Sequence, residues 1–143
     1  SADAWHDIRP LPFGACACAC SDGDFVFVAT WGADNPEGTK STKRGGKDPR
    51  VGEAGALWRY DPAGDGYERL SGLPLPEWYG FAMCAHSGWV YCVGGSTRGR
   101  WTGAAFRTRV GGGKCVEEGD GAWEELPPMK MVRRRTAAAV ARA

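Results

Sequence analysis

The sequence predicts an all-β protein, and three observations carry that prediction: a turn-rich composition, short apolar runs of strand length, and a stretch that occurs twice. Glycine accounts for 22 of the 143 residues and nine prolines are spread along the chain, as expected where short strands are joined by many turns. Phe25-Val26-Phe27-Val28-Ala29 and Trp89-Val90-Tyr91-Cys92-Val93 are continuous apolar runs, the pattern of strands covered on both faces. The segment from Ala15 to Val28 aligns without a gap with the segment from Gly80 to Val93. Each copy reads as strand, glycine-containing turn, strand.

A second feature recurs out of phase with the first. Trp5-His6-Asp7-Ile8, Tyr67-Glu68-Arg69-Leu70 and Trp123-Glu124-Glu125-Leu126 each open on an aromatic residue, at separations of 62 and then 56 positions. A Leu-Pro pair follows each time, at Leu11-Pro12, Leu73-Pro74 and Leu126-Pro127. Leu57-Trp58-Arg59-Tyr60-Asp61-Pro62 precedes the second aromatic, and Gly94-Gly95 ends the second apolar run. In combination these features resemble the Kelch family of β-propellers, whose blades repeat about every 50 residues. That family carries Gly-Gly after strand two, Tyr-Asp-Pro at the end of strand three, and an aromatic opening strand four. The first copy departs from the pattern, with Ala29-Thr30 in place of Gly-Gly and Tyr67 in place of tryptophan.

The resemblance implies a partial Kelch-type β-propeller: two four-stranded antiparallel blades with a flanking strand at each end. Residues 1–12 are expected to hold the outer strand of a preceding blade, near Trp5 to Ile8. Residues 13–74 form the first blade with a long loop at 30–55, residues 75–128 the second, and residues 129–143 the first strand of a third, from about Arg135. Propellers close with roughly four to eight blades, so a fragment of a larger ring is expected. The start at Ser1-Ala2-Asp3-Ala4, without methionine, agrees with that expectation. Glycine after strand two would permit a turn that a Cβ obstructs, and outer-strand aromatics would join adjacent blades.

Eighteen basic and seventeen acidic residues leave a net charge of +1, which gives no general reason to expect nucleic acid or an anionic membrane as partner. The longest apolar stretches fall far short of the roughly 18 residues of a membrane span, and no secretory signal is visible. Six cysteines, three of them in Cys16-Ala17-Cys18-Ala19-Cys20, lack the spacing of a disulfide-stapled secreted domain. A reduced setting, cytoplasmic or nuclear, is favoured. Side chains of a strand alternate with period two, so Cys16, Cys18 and Cys20 are expected on one face as small buried residues near the propeller axis.

Strand order places the loop between strands two and three, and the segments leading into each blade, on one face of the disc. That face gathers the candidate binding residues: Trp31, Lys40, Lys43, Arg44, Lys47 and Arg50 in the long loop, Trp78 at the start of the second blade, Arg98, Arg100 and Trp101 between its second and third strands, and Arg133 and Arg134 leading into the third. Arginine and tryptophan are common interface anchors, and an acidic protein or peptide partner is expected, along with the remaining blades.

No catalytic residue, metal site or cofactor is expected. The cysteine spacing lacks a Cys-x-x-Cys turn, and His86, beside Ser87-Gly88, reads as an exposed turn residue. Gly111-Gly112-Gly113-Lys114 lacks the first glycine and the Ser/Thr of a phosphate loop, and no nucleophile elbow or His-Glu-x-x-His occurs. Glu117-Glu118 and Glu124-Glu125 read as surface charge. The function implied by the resemblance is protein–protein interaction, as in the substrate-recognition part of a ubiquitin-ligase adaptor. The alternative is a Kelch-type propeller enzyme of oxidase, epimerase or specifier-like chemistry, with an active site completed by other blades.

Overall fold

The computed structural model describes residues 4–11, 15–31, 55–110, 123–133 and 137–139, with the backbone alone for Ala15, Cys16, Ala17 and Trp31. The described residues contain strands and no helix. Strands β1 (Ala15–Ser21), β2 (Val26–Trp31), β3 (Ala56–Asp61) and β4 (Gly66–Gly72) form one antiparallel sheet in that order. Further along the chain, β5 (Ala82–His86), β6 (Trp89–Val93), β9 (Ala105–Arg109) and β10 (Trp123–Leu126) form a second. Between β6 and β9 lies a small hairpin of β7 (Ser96–Thr97) and β8 (Arg100–Trp101).

The two sheets meet face to face over one apolar core. Phe27, Ala29 and Leu57 from the first sheet join Met83, Val90 and Cys92 from the second, with Leu73, Trp78 and Phe81 from the connecting segment. β2 is covered on both faces, by Phe27 and Ala29 in the core between the sheets and by Val28 on the far side, so its apolar run needs no polar alternation, whereas on β6 only Val90 and Cys92 are buried and Trp89, Tyr91 and Val93 are half-buried. The outer strands are linked as well: Trp123 on β10 donates its indole N–H to Gly72 O at 2.7 Å and to Ser71 Oγ at 3.2 Å. This aromatic therefore joins the two sheets, whereas Trp5, expected to play the same part in a preceding outer strand, is fully exposed.

Corresponding contacts recur in the two sheets. Arg59 lies over the Phe25 ring and pairs with Glu68, while Arg107 lies over the Trp89 ring and pairs with Glu124. Leu73 N donates to Gly55 O at 2.8 Å, and Met129 N donates to Gly103 O at 2.8 Å. These correspondences shift the sequence alignment by one residue, so that Phe25 matches Trp89 rather than Val90. The cause is the turn. Its glycine is the first of the two turn residues in Gly23-Asp24 and the second in Ser87-Gly88, so matching the glycines misplaces the strands.

In the corrected register Thr30 and Trp31 stand where the second sheet has Gly94 and Gly95. Thr30 is buried, and its hydroxyl meets both Ala56 O and Ala56 N. The close approach that glycine allows has moved across to Gly55, where a Cβ would run into the Thr30 carbonyl. The alternation expected for the cysteines is also broken. The β1–β2 register shifts between Cys16 and Cys18, a β-bulge at Ala17. Cys18 and Cys20 pair with Ala29 and Phe27 and pack on the core between the sheets, but Cys16 does not follow their register.

Neither flanking segment is a strand within the described residues. Residues 4–11 have no strand beside them to complete a ladder, and residues 137–139 are likewise unpaired; the rest of the expected last strand lies outside the described residues. Leu11 nonetheless packs with Val28, Ala56 and Trp58 on the far face of the first sheet. Arg9 N and Tyr60 Oη both donate to Asp65 Oδ1, at 2.9 and 2.8 Å. The Arg9 amide, then the phenol, hold the Asp65 carboxyl below its usual range, and the same hydrogen bond pushes Tyr60 up to about 12.

A depressed carboxyl stabilises the fold above its unfolded value of about 3.9 and loses that contribution as pH falls through the lower folded value. A raised phenol has the opposite sense: its contribution is complete below about 10 and is lost as pH rises toward the folded value. The Arg9 amide proton shift should therefore titrate in acid with a midpoint below about 3.9. In Asp65→Asn that titration should vanish, as read by proton–nitrogen NMR.

Candidate functional site

The described part of the loop face is built around the β7–β8 hairpin. Its two central residues, Arg98 and Gly99, have φ of 49° and 73°, the type I′ geometry of the tightest hairpins, which favours asparagine, aspartate or glycine at both places. An arginine there is held at a backbone cost. The hairpin is pinned from several directions: Tyr79 and Ser96 exchange backbone hydrogen bonds at 3.0 and 2.8 Å, Thr97 Oγ1 donates to Pro76 O at 2.6 Å, and Thr102 N donates to Gly95 O at 3.0 Å. Gly95 N in turn donates to Arg133 O at 2.6 Å, which draws the segment after β10 against the hairpin's base.

This arrangement brings together Arg98, Arg100, Trp101 and Arg133, all exposed. It does not present Trp78. That indole is 1% exposed, packs on Phe81 and Phe106, and donates to Gly94 O at 2.7 Å, so it supports the hairpin from beneath and is closed to a partner. Lys40, Lys43, Arg44, Lys47, Arg50 and Arg134 lie outside the described residues, and for Trp31 only the strand backbone is described.

Three residues not foreseen join the surface: Tyr79, Met131 and Val132, each exposed. Tyr79 is bridged to the hairpin, and Met131 and Val132 immediately precede Arg133. The result is a rigid basic tip bordered by exposed aromatic and aliphatic side chains. Such a border supplies apolar anchor area, and the guanidinium groups supply charge and geometry for carboxylates.

The sheets' inner edges offer a different setting. An open cavity of about 450 Å³ is lined by Ala19, Cys20 and Ser21 of β1, Met83 to His86 of β5, and Ala138 and Ala139. His86 is the last residue of β5, paired with Trp89 and half-buried, one place before the Ser87-Gly88 turn. Burial, reinforced by neighbouring thiols, pushes Cys20 up to about 12, and burial raises Cys18, Cys84 and Cys92 as well. These thiols stay protonated at neutral pH and are poor nucleophiles. Among the described residues no cluster of histidine, cysteine and carboxylate side chains is arranged to hold a metal ion, and no helix is long and apolar enough to cross a membrane. Glu124 serves Arg107 in an ion pair at the sheet surface.

In comparisons with known proteins, no family model and no curated protein matches the chain.

Proposed function

We propose that the chain is part of a Kelch-type β-propeller acting as a protein-interaction module, with the β7–β8 hairpin and its apolar border as the recognition surface. The observation that carries this reading is Arg98, an arginine at a hairpin position that disfavours any non-glycine side chain other than asparagine or aspartate. Strain of this kind clusters where a side chain is needed for function. The neighbouring Arg100 and Arg133, with exposed Tyr79, Trp101, Met131 and Val132, define the partner's chemistry: acidic residues beside an apolar anchor.

The propeller reading is supported by the recurrence of the Arg–aromatic–Glu contacts in both sheets and by their shared packing direction. Leu11 packs on the far face of the first sheet much as Leu73 packs in the core between the sheets. Two such sheets do not close a ring, so further blades belong to this reading. Within the Kelch resemblance, the surface fits the substrate-recognition part of a ubiquitin-ligase adaptor.

Peptide display against the chain should enrich acidic sequences that contain an aromatic or large aliphatic residue. Fluorescence anisotropy should then find at least a tenfold loss of affinity in Arg98→Glu/Arg100→Glu, and affinity falling with salt. Arg98→Gly keeps the turn and removes the guanidinium, so it should also weaken binding. Selected peptides without acidic residues, or binding indifferent to these changes, would refute the proposal.

A further inference from the structure

Two long charged side chains on the loop face stand on backbone that disfavours them. Among the described residues, positive φ outside glycine occurs at Asp65, Glu77, Ser87 and Arg98. Asp65 and Ser87 lie in turns between adjacent strands of the two sheets, where a short polar side chain is ordinary. Glu77 and Arg98 do not fit that account. Arg98 fills the first place of the β7–β8 turn, and Glu77, with φ of 47°, follows Pro76 in the turn that leads to Trp78. Proline suits the first central place of such a turn, and a positive φ at the second favours glycine or asparagine. A glutamate there is held against the preference of its backbone.

The fold brings these two residues level with each other. Tyr79 and Ser96 form an antiparallel bridge, and its register, carried two residues along each segment, sets Glu77 opposite Arg98. Thr97 Oγ1 donates to Pro76 O at 2.6 Å, which ties together the residues immediately before each of them. Glu77 is half-buried and Arg98 is exposed, and among the described residues neither side chain has a hydrogen-bond or ion-pair partner. Opposite charges set side by side without pairing leave both available to a ligand.

Glu77 also stands apart by sign. The segments that meet at the hairpin, 73–80, 94–104 and 127–133, carry Arg98, Arg100, Lys130 and Arg133, and Glu77 is their one carboxylate. β7 lies between the Glu77 segment and β8, since Ser96 pairs with Tyr79 on one side and with Trp101 on the other. At an ordinary strand spacing of about 4.8 Å the Glu77 and Arg100 segments are about 10 Å apart, a distance an extended peptide covers in about three residues. A peptide crossing the hairpin meets a carboxylate on one side and guanidinium groups on the other. Charges of one sign cannot satisfy both.

We propose that Glu77 is a specificity-determining residue of this surface, and that the recognised peptide sets a basic residue on Glu77 about three positions from an acidic residue on Arg98 or Arg100. The inference rests on the reading of the hairpin as a recognition surface and adds the sign pattern of its ligand. A surface that selected negative charge alone has no use for a carboxylate, least of all one on a strained backbone. Discrimination is the gain: an all-acidic segment meets repulsion at Glu77, and a segment with its charges in the opposite order meets repulsion on both sides.

The probes are a peptide selected by display on the chain, synthesised with Lys, Gln or Glu about three positions before or after an acidic residue, the spacing set by the strands. Fluorescence anisotropy reads their affinities. In one of the two directions the wild type should bind the Lys peptide about threefold or more tighter than the Gln peptide, the scale of one exposed ion pair. Glu77→Gln should bind the two alike, and Glu77→Lys should prefer the Glu peptide. On a surface that recognises negative charge alone the added lysine weakens binding, so the sign of the effect decides. Glu77→Gly should also lose the preference while keeping or raising the melting temperature, because glycine accepts the backbone. A Lys peptide bound no better than the Gln peptide in either direction, a preference that survives in Glu77→Gln, or a melt clearly lowered in Glu77→Gly would overturn the inference. Where such a result comes with peptide binding that Arg98→Glu/Arg100→Glu abolishes, the hairpin remains a recognition surface and only the role of Glu77 falls. Peptides that bind without regard to Arg98 and Arg100 would overturn both.

Discussion

Trp78→Ala is expected to cost about 3 to 5 kcal/mol, the range for deleting a fully buried large aromatic side chain. Trp78 sits where the connecting segment meets both sheets, with ring centroids 4.4 Å from Phe81 and 5.7 Å from Phe106. Truncation would empty a space that the surrounding strands cannot readily fill, because their backbones are fixed by ladders on both sides. It would also leave Gly94 O without its indole donor, an added cost of about 1 to 3 kcal/mol if the carbonyl stays dry. Trp78→Phe separates the two effects, since it keeps most of the apolar volume and removes only the donor. Urea unfolding followed by circular dichroism should rank wild type, Trp78→Phe and Trp78→Ala in that order. The alanine variant should also lose the ordered hairpin above it, so its peptide binding should fall even where half the molecules remain folded. A cost below about 1 kcal/mol for Trp78→Ala, the level of a surface substitution, would mean the indole is not buried as described.

The same residue shows what the sequence could and could not convey. A tryptophan beside Tyr79 and Gly80, at the junction between the two expected blades, reads naturally as an exposed anchor. Its burial depends on a carbonyl 16 positions away and on Phe106 of β9, farther still along the chain, and neither leaves a local mark. The converse holds for Tyr79, Met131 and Val132. Apolar by type, they carry no sign of exposure until Ser96 and Gly95 fix the backbones beside them. Strands and their pairing were more legible, because the apolar runs of β2 and β6 and the turns that follow β1, β3 and β5 are local features. The register was legible to within one residue. Glycine marks a turn clearly but does not say which turn position it fills, and with period two a slip of one reverses every side chain. Only the Arg59 and Arg107 contacts, made across three strands, fix the correspondence. The bulge at Ala17 belongs to the same class: the alternating cysteines suggest a regular strand, and the extra residue shows only in the pairing with β2.

Gly95→Ala is expected to be the most damaging single-methyl addition at a positive-φ glycine that supports the hairpin. The residue has φ of +83°, and an added Cβ would lie 2.5 Å from Tyr79 O, 2.7 Å from Phe81 N and 2.9 Å from the Phe81 Cα. All three are backbone atoms, so no side chain can swing aside. Relief would require moving the Tyr79–Phe81 segment, which carries the bridge to Ser96 and leads into β5. Gly99 provides the control. It has φ of +73° but nothing within 4 Å of where its Cβ would stand, so Gly99→Ala bears only the conformational cost of a left-handed backbone, about 1 to 2 kcal/mol. Gly95→Ala adds a steric cost of about 1 to 3 kcal/mol or more from forced backbone displacement. Thermal melts of the two variants should separate clearly, with Gly95→Ala the lower, and the gap between them measures the backbone clash. If the two fell together, the tight packing beneath the hairpin would not exist, and the rigidity that holds Arg98 at its tip would have to come from elsewhere.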